Sequence, residues 1–195
     1  MSERILFISD SHLGSGTPDA EHRKLSMLLG FLSMEVHPGD HLILVGDIFD
    51  FWFEYKHVIP KHHFSMLSKL QQLREREIEI SYVGGNHDFW VGDFFTHQLG
   101  ITYYENQAEL TLSGRRFFIA HGDGILDQDR GSRLLRIILR NRINNRLFRL
   151  IHPDWGFTLA RFISGSSRKK GEHNHQLDNT AYLEFAKRKF AEGCD

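Results

Sequence analysis

Along the first half of the chain, short apolar runs stop abruptly on polar, glycine-containing clusters, and longer stretches of helical periodicity separate them. Arg4 to Ser9 is short, apolar and β-branched or aromatic, which predicts a buried strand, and it runs into Asp10-Ser11-His12. Thr17-Pro18-Asp19 then offers an N-cap, a proline at the first helical position and an early acid, followed by Leu25, Leu28, Leu29 and Leu32 at helical spacing. Pro38-Gly39 ends that helix. His41 to Val45 predicts a second strand stopping at Gly46-Asp47, Lys61 to Arg76 an amphipathic helix, and Ile78 to Val83 a third strand stopping at Gly84-Gly85-Asn86-His87-Asp88. Three successive β-α units thus deliver polar residues at a strand's carboxyl end, which is where open α/β sheets bind ligands.

The second half reads differently. After a short helix over Val91 to Leu99, the runs Ala108 to Leu112 and Arg116 to Ala120 flank Ser113-Gly114-Arg115 as a hairpin, whose second strand ends at His121-Gly122-Asp123. From about Gly131 to Ile163 the chain reads as helical, with Leu134, Leu135, Ile138 and Ile143 on one spacing, and a last helix is expected over Gln176 to Phe190. One domain over 1–195 is expected, with a basic helical cap at about 130–170. No internal repeat or low-complexity tract interrupts it.

Charge sharpens this division. Between Arg130 and Lys170 there are eleven Lys or Arg and one acid, Asp154, which leaves 13 basic and 24 acidic residues for the remainder of a chain whose net charge is −1. A metal-binding half and an anion-facing half follow from that asymmetry. The basic segment is also rich in Leu, Ile, Phe and Trp, which suits a ligand with an anionic head and acyl chains, or an anionic membrane surface. Nucleic acid is a less favoured partner for such helices, and a helical pair with a solvated Arg face would look the same. With 195 residues, 41% of them hydrophobic, a single core is affordable. The lone Cys194 excludes a disulfide framework and a Cys-rich zinc site, and fits a reducing compartment. No apolar run resembles a signal peptide or reaches transmembrane length.

The candidate chemistry lies at the strand ends. Divalent ions that activate water need hard or borderline O and N ligands, and a pair needs a carboxylate able to bridge. Asp10 and His12, at i and i+2 beyond a strand, are expected to address one point, and Asp47, Asn86 and His121 follow three further strands. A single Asp or His at a strand end is ordinarily a cap or turn residue. Four strand ends carrying Asp-x-His, Gly-Asp-x-x-Asp, Gly-Asn-His-Asp and His-Gly-Asp in order are not explained by turn chemistry. Gly46, Gly85 and Gly122 would permit close backbone approach. Asp88 and Asp123 are expected to bond turn backbone. His22, His37, His41, His57, His62, His63, His97 and His152 lack ligand spacing and are expected at the surface for the most part, with His173 and His175 beside the basic segment.

In order and spacing these motifs resemble the calcineurin-like metallophosphoesterase superfamily. The resemblance implies an α-β-β-α sandwich with the basic helices as a cap over the metal end. It also implies two divalent cations, with Asp10, His12 and Asp47 holding one, Asp47 bridging, and Asn86 and His121 holding the second. Water activated between them would attack phosphorus in line. His87 would then stabilise the transition state or protonate the leaving oxygen, with Asp50 orienting it. Manganese is the implied metal, and the mixed Asp, Asn and His set is also compatible with iron or zinc.

Within that superfamily the chain is most similar to the UDP-2,3-diacylglucosamine diphosphatases. The likeness rests on Ile8-Ser9-Asp10-Ser11-His12-Leu13, Gly46-Asp47-Ile48-Phe49-Asp50-Phe51-Trp52, Gly85-Asn86-His87-Asp88-Phe89, and His121-Gly122-Asp123-Gly124 followed by Asp127 and Asp129. It implies hydrolysis of a UDP-sugar lipid to UMP and an acylated sugar 1-phosphate, in lipid A synthesis, by a cytoplasmic enzyme peripheral to the inner membrane. Asn86, His87, Asp129, Ser164, Ser167, Arg168 and Lys169 are then the expected substrate contacts. Two departures bear on this. His87 stands where many members of the closer family have Arg, and the superfamily's final Gly-His-x-His motif is missing before Gly193-Cys194-Asp195. The chain is therefore expected to be truncated before its last strands. A nucleotide phosphodiesterase or nuclease on the same core, and an inactive binding scaffold of this fold, are the rival expectations.

Overall fold

A computed structural model describes residues 4–122, 141–159 and 179–195. The predicted β-α alternation is present. Strand β1 (Ile5–Ile8) leads through helix α1 (Pro18–Glu35) to β2 (His41–Val45). Thr17 at the extended N-cap, Pro18 in the first turn and Asp19 and Glu21 behind it start α1 as expected. After β3 (Trp52–Phe53), α2 (Phe64–Glu75) leads to β4 (Glu79–Val83). Strand β5 (Asp88–Trp90), a single π-helical turn at Phe94–Gln98 and β6 (Thr102–Tyr104) precede the hairpin of β7 (Gln107–Leu112) and β8 (Arg115–Ala120). In the basic segment, α3 (Arg142–Phe148) and α4 (residues 153–159) are helical, and α5 (Asn179–Ala191) follows.

Four parallel strands form the central sheet in the order β1-β2-β4-β6. Because alternate residues of a strand face opposite sides, β2 is split between two cores. Leu42 and Leu44 pack with Leu32, Leu70, Leu73, Ile80 and Tyr82 on the side of α1 and α2. Ile43 and Val45 pack with Val83, Ala108 and Ile119 beneath the β7-β8 hairpin. Phe118 on β8 meets Phe185 of α5, their ring centroids 5.5 Å apart. Among the described residues the layers are therefore helix, sheet, hairpin and helix, the sandwich that the sequence implied.

Three features differ from expectation. The hairpin turn is two residues long, Ser113 and Gly114, both at positive φ (49° and 77°), which is what a type I′ turn demands. Arg115 therefore enters β8 opposite Leu112. Strand β6 extends the sheet beside β4, although its three residues are too short for a periodicity signal. Strands β3 and β5 pair in parallel as a separate two-stranded sheet, with the Trp52 amide donating to the His87 carbonyl at 3.1 Å. That small sheet ties together the loops carrying Asp47 and His87.

Candidate metal centre

The loops after β1 and β2 are zipped along their backbones. Asp10 N–H donates to the Gly46 carbonyl at 3.2 Å, His12 to Asp47 at 2.9 Å, and Leu13 to Ile48 at 3.0 Å. Asp10, His12 and Asp47 all have positive φ, at 55°, 42° and 54°. Asp10 and His12 thus converge through left-handed backbone and not through the side alternation of an extended strand, which corrects the expectation from their i, i+2 spacing. Each such conformation costs roughly 1–2 kcal/mol for a residue with a Cβ, so strain is concentrated on the residues aimed at one point.

Glycines make the approach possible. A Cβ on Gly46, whose φ is 68°, would stand 2.7 Å from the Gly85 Cα and 2.7 Å from His121 Nδ1, and one on Gly85 would collide with the Asp47 carboxylate. Gly122 faces open space, and only its φ of 110° calls for glycine.

Two clusters result, and Asp47 belongs to both. Asp10, Asp47 and His121 form one group, and His12, Asp47 and His87 the other. In the first, His121 Nε2 is 3.2 Å from Asp47 Oδ2 and 3.9 Å from Asp10 Oδ1. In the second, His12 Nε2 and His87 Nε2 each lie 3.9 Å from Asp47 Oδ2. Asp10, with 56% of its side chain exposed, marks the open side of the centre, whereas Asp47 is 2% exposed and forms its floor. The shared Asp47 matches the bridging role. His12 Nε2 also lies 3.7 Å from Asp10 Oδ1, so Asp10 stands between His12 and His121, and the His87 ring stands beside that of His12. Asn86 lies in the same loop as His87 but is exposed, and no hydrogen bond ties its side chain to a described residue.

The imidazoles are oriented as metal ligands usually are, by donating the remote N–H to a carbonyl. His121 Nδ1 donates to the Val45 carbonyl at 2.9 Å and His87 Nδ1 to the Asp50 carbonyl at 2.6 Å. A carbonyl only accepts, so in both rings Nε2 is left to face Asp47. Asp50 therefore orients His87 mainly through its backbone, its carboxylate being 3.8 Å from His87 Nδ1 and 3.9 Å from His12 Nδ1. The buried His12 Nδ1 has no hydrogen-bond partner.

Electrostatics agree with a site built for cations. Burial alone would raise the Asp47 pKa, but the hydrogen bond and charge of His121, with the charge and N–H of His87, hold it below the ordinary carboxylate range. For His121, burial works downward and is overridden by Asp47, which lifts it to about 9. Burial lowers His12 despite the nearby carboxylates. The donor set of the Asp10 and Asp47 carboxylates with the His12 and His121 imidazoles, whose Nε2 atoms face them, fits a divalent metal pair. When bound, such a pair lowers the pKa of water and neutralises phosphoryl charge.

Asp88 has the structural role expected of it. Its carboxylate accepts from Gly85 N at 2.8 Å, Asp47 N at 3.2 Å and Tyr82 Oη at 2.7 Å. His63 is an exception among the histidines expected at the surface: it is 3% exposed, with its ring centroid 4.3 Å from that of Phe49. Asp123, Asp129, Ser164, Ser167, Arg168, Lys169, His173 and His175 lie outside the described residues.

The described helices of the basic segment meet the core through an aromatic cluster. Phe148 of α3 and Phe157 of α4 pack against Phe51 and Phe53, which follow Asp50 directly. Between them is a cavity of about 380 Å³ lined by Phe51, Phe53, Tyr55, Ile59, His62 and Phe157. Leu150 and Trp155, 83% and 75% exposed, leave the cap's outer surface apolar as well as basic.

A fold with this layering, and a strand-end centre of shared acid and imidazole groups, is that of a metallophosphoesterase. The calcineurin-like phosphoesterase family matches residues 3–188, and the chain belongs to it. Among its relatives is a UDP-2,3-diacylglucosamine hydrolase of Porphyromonas gingivalis, 34% identical over 92% of this chain and 69% of that protein. Proteins of the same name from Aeromonas salmonicida and from Neisseria meningitidis serogroup B (strain MC58) are 35% and 30% identical, over 88% and 83% of this chain and 65% and 66% of their own lengths. The chain spans about two thirds of the length of these relatives. A solved structure of an Aquifex aeolicus protein of unknown function covers 70% of the chain, and 72% of its own, at 20% identity and a TM-score of 0.42.

Proposed function

We propose that the protein hydrolyses the diphosphate of UDP-2,3-diacylglucosamine to UMP and 2,3-diacylglucosamine 1-phosphate, with two divalent cations, manganese first among the candidates. The observation that carries the hydrolase part is Asp47, common to both clusters and held as a carboxylate by its imidazole neighbours. The substrate is carried over from the relatives named above, and the apolar cavity at Phe51 and Phe53 supports it: an acyl chain fits the aromatic lining while the anionic head stays at the metal loops.

In this reading Asp10, His12, Asp47 and His121 hold the metals together with Asn86. His87 faces the reacting phosphate and supplies a proton or charge to the leaving oxygen. Helix α3, with Arg142, Arg146 and exposed Leu147, and the exposed Leu150 just beyond it suit the cytoplasmic face of an anionic membrane. No described helix is long and apolar enough to cross one.

The test is manganese-dependent release of UMP from UDP-2,3-diacylglucosamine, comparing this chain with one extended through a Gly-His-x-His segment. Release by either form supports the reading. Cleavage of bis(p-nitrophenyl) phosphate without release of UMP would keep the dimetal hydrolase and discard the lipid substrate. Metal binding with no hydrolysis of either compound would leave a binding scaffold.

A further inference from the structure

The loop from Asp10 to Gly16 is held on its inner side by the backbone of the Asp47 loop, as described above. Among the described residues, its outer side is held by one pair on the first two turns of α1. Glu21 accepts from Gly14 N at 2.6 Å through Oε2 and from Gly16 N at 2.7 Å through Oε1. Lys24, one turn on, donates to the His12 carbonyl at 2.7 Å and to Ser15 Oγ at 3.3 Å. The two side chains also pair with each other at 2.8 Å, and both are largely shielded, with 20% and 33% of their surface exposed. A Cβ on Gly16 would come within 2.9 Å of Glu21 Oε1, so the carboxylate would have to shift to admit it.

We infer that Glu21 and Lys24 are positioning residues for the metal centre: a clamp that keeps the first ligand loop in the left-handed conformation aiming Asp10 and His12 at Asp47. The physical reason is the strain. Positive φ at Asp10 and at His12 is unfavourable for each residue alone, so the loop needs bonds that exist in this conformation and no other. The inner backbone ladder fixes where the loop runs. The clamp fixes its outer turn, and it does so through the carbonyl of His12 itself. In sequence the pair looks like an acid in the first turn of a helix with a lysine three residues on, an ordinary helix feature. Its contacts across the loop give it a second task.

The inference rests on the metal centre proposed above, so the test is metal binding and not turnover. Manganese affinity is measured by isothermal titration calorimetry on the whole chain, well below the melting temperature, for wild type, Glu21→Ala, Lys24→Met, the double variant and Lys24→Arg. Partners that orient metal ligands typically carry 10–100-fold in affinity. Glu21→Ala and Lys24→Met should each weaken manganese binding about tenfold or more. The double variant should be little worse than either, because the pair acts as one unit, and Lys24→Arg should recover most of the loss. Single variants that melt earlier yet bind manganese like wild type would overturn the clamp while leaving the metal centre in place. A wild-type chain that binds no divalent metal would remove the centre itself.

Discussion

His121 Nε2 stands 3.2 Å from Asp47 Oδ2, and the same carboxylate lies 3.9 Å from His12 and from His87. One buried acid thus faces three imidazoles from three loops, and nothing else described at the centre has that position. Asp47→Ala should therefore empty both metal positions at once, and lower metal-dependent cleavage of bis(p-nitrophenyl) phosphate by three orders of magnitude or more, since it removes the means of activating water. Activity and metal content per chain, measured together, check this. Full activity in the variant would sink the two-metal assignment.

The same approach of loops makes Gly85 sensitive. A methyl group there meets the Asp47 carboxylate and the Asp47 amide, both fixed by other bonds, so the backbones must separate. Overpacking of this kind costs about 1–3 kcal/mol. Gly85→Ala is expected to lower the urea midpoint correspondingly and to weaken metal binding beyond what the lost stability explains. Comparison with Gly39→Ala separates the two effects, because Gly39 has positive φ but open space around it.

The strand ends and the residues on them were legible in the sequence because each apolar run terminates on its own polar cluster, as at His41 to Asp47. The first helix was legible for the same kind of local reason, its proline and capping pattern. What escaped was non-local. The pairing of Trp52–Phe53 with Asp88–Trp90 joins segments 36 residues apart, and no periodicity records a two-residue strand. The left-handed backbone that turns Asp10 and His12 toward Asp47 escaped too, because it is invisible in residue spacing. Glu21 and Lys24 carried a signal that belongs equally to any amphipathic helix. Buried His63 sits between exposed His62 and exposed Phe64, so its local pattern reads as surface.

His63 gives the acid limb of stability a definite sign. Burial, with the charge of neighbouring His62, lowers its pKa from the ordinary 6.5 to about 2. The unfolded chain therefore takes up a proton below about pH 6.5 that the folded chain refuses until about pH 2. Stability from this group is complete above pH 6.5 and is lost as pH falls through that window, at roughly 1.4 kcal/mol per pH unit. His63→Phe keeps a ring against Phe49 and Trp52 and removes the titration. Urea unfolding at pH 7 and pH 5 should show the wild type losing about 2 kcal/mol more than the variant over that interval. Equal losses in both would show that His63 takes up its proton in the folded state.

His87 stands where two roles meet, and the geometry says how to separate them. Its Nδ1 donates to the Asp50 carbonyl at 2.6 Å, so Nε2 points toward Asp47 at the distance that His12 also keeps. A ligand and a proton donor would both be oriented this way. The choice for the second role rests on chain position, since the buried His87 directly follows the exposed Asn86. His87→Gln preserves a polar side chain and removes the imidazole. If His87 serves the leaving oxygen, the variant should retain two metals per chain, keep KM within a few-fold, and lose about 100-fold or more in kcat, the usual scale of general acid catalysis. The loss should shrink for substrates whose leaving group needs no proton, such as p-nitrophenolate, relative to an alkyl ester. If instead metal content falls from two to one and the loss is the same for both leaving groups, His87 belongs to the ligand set with His12 and Asp47.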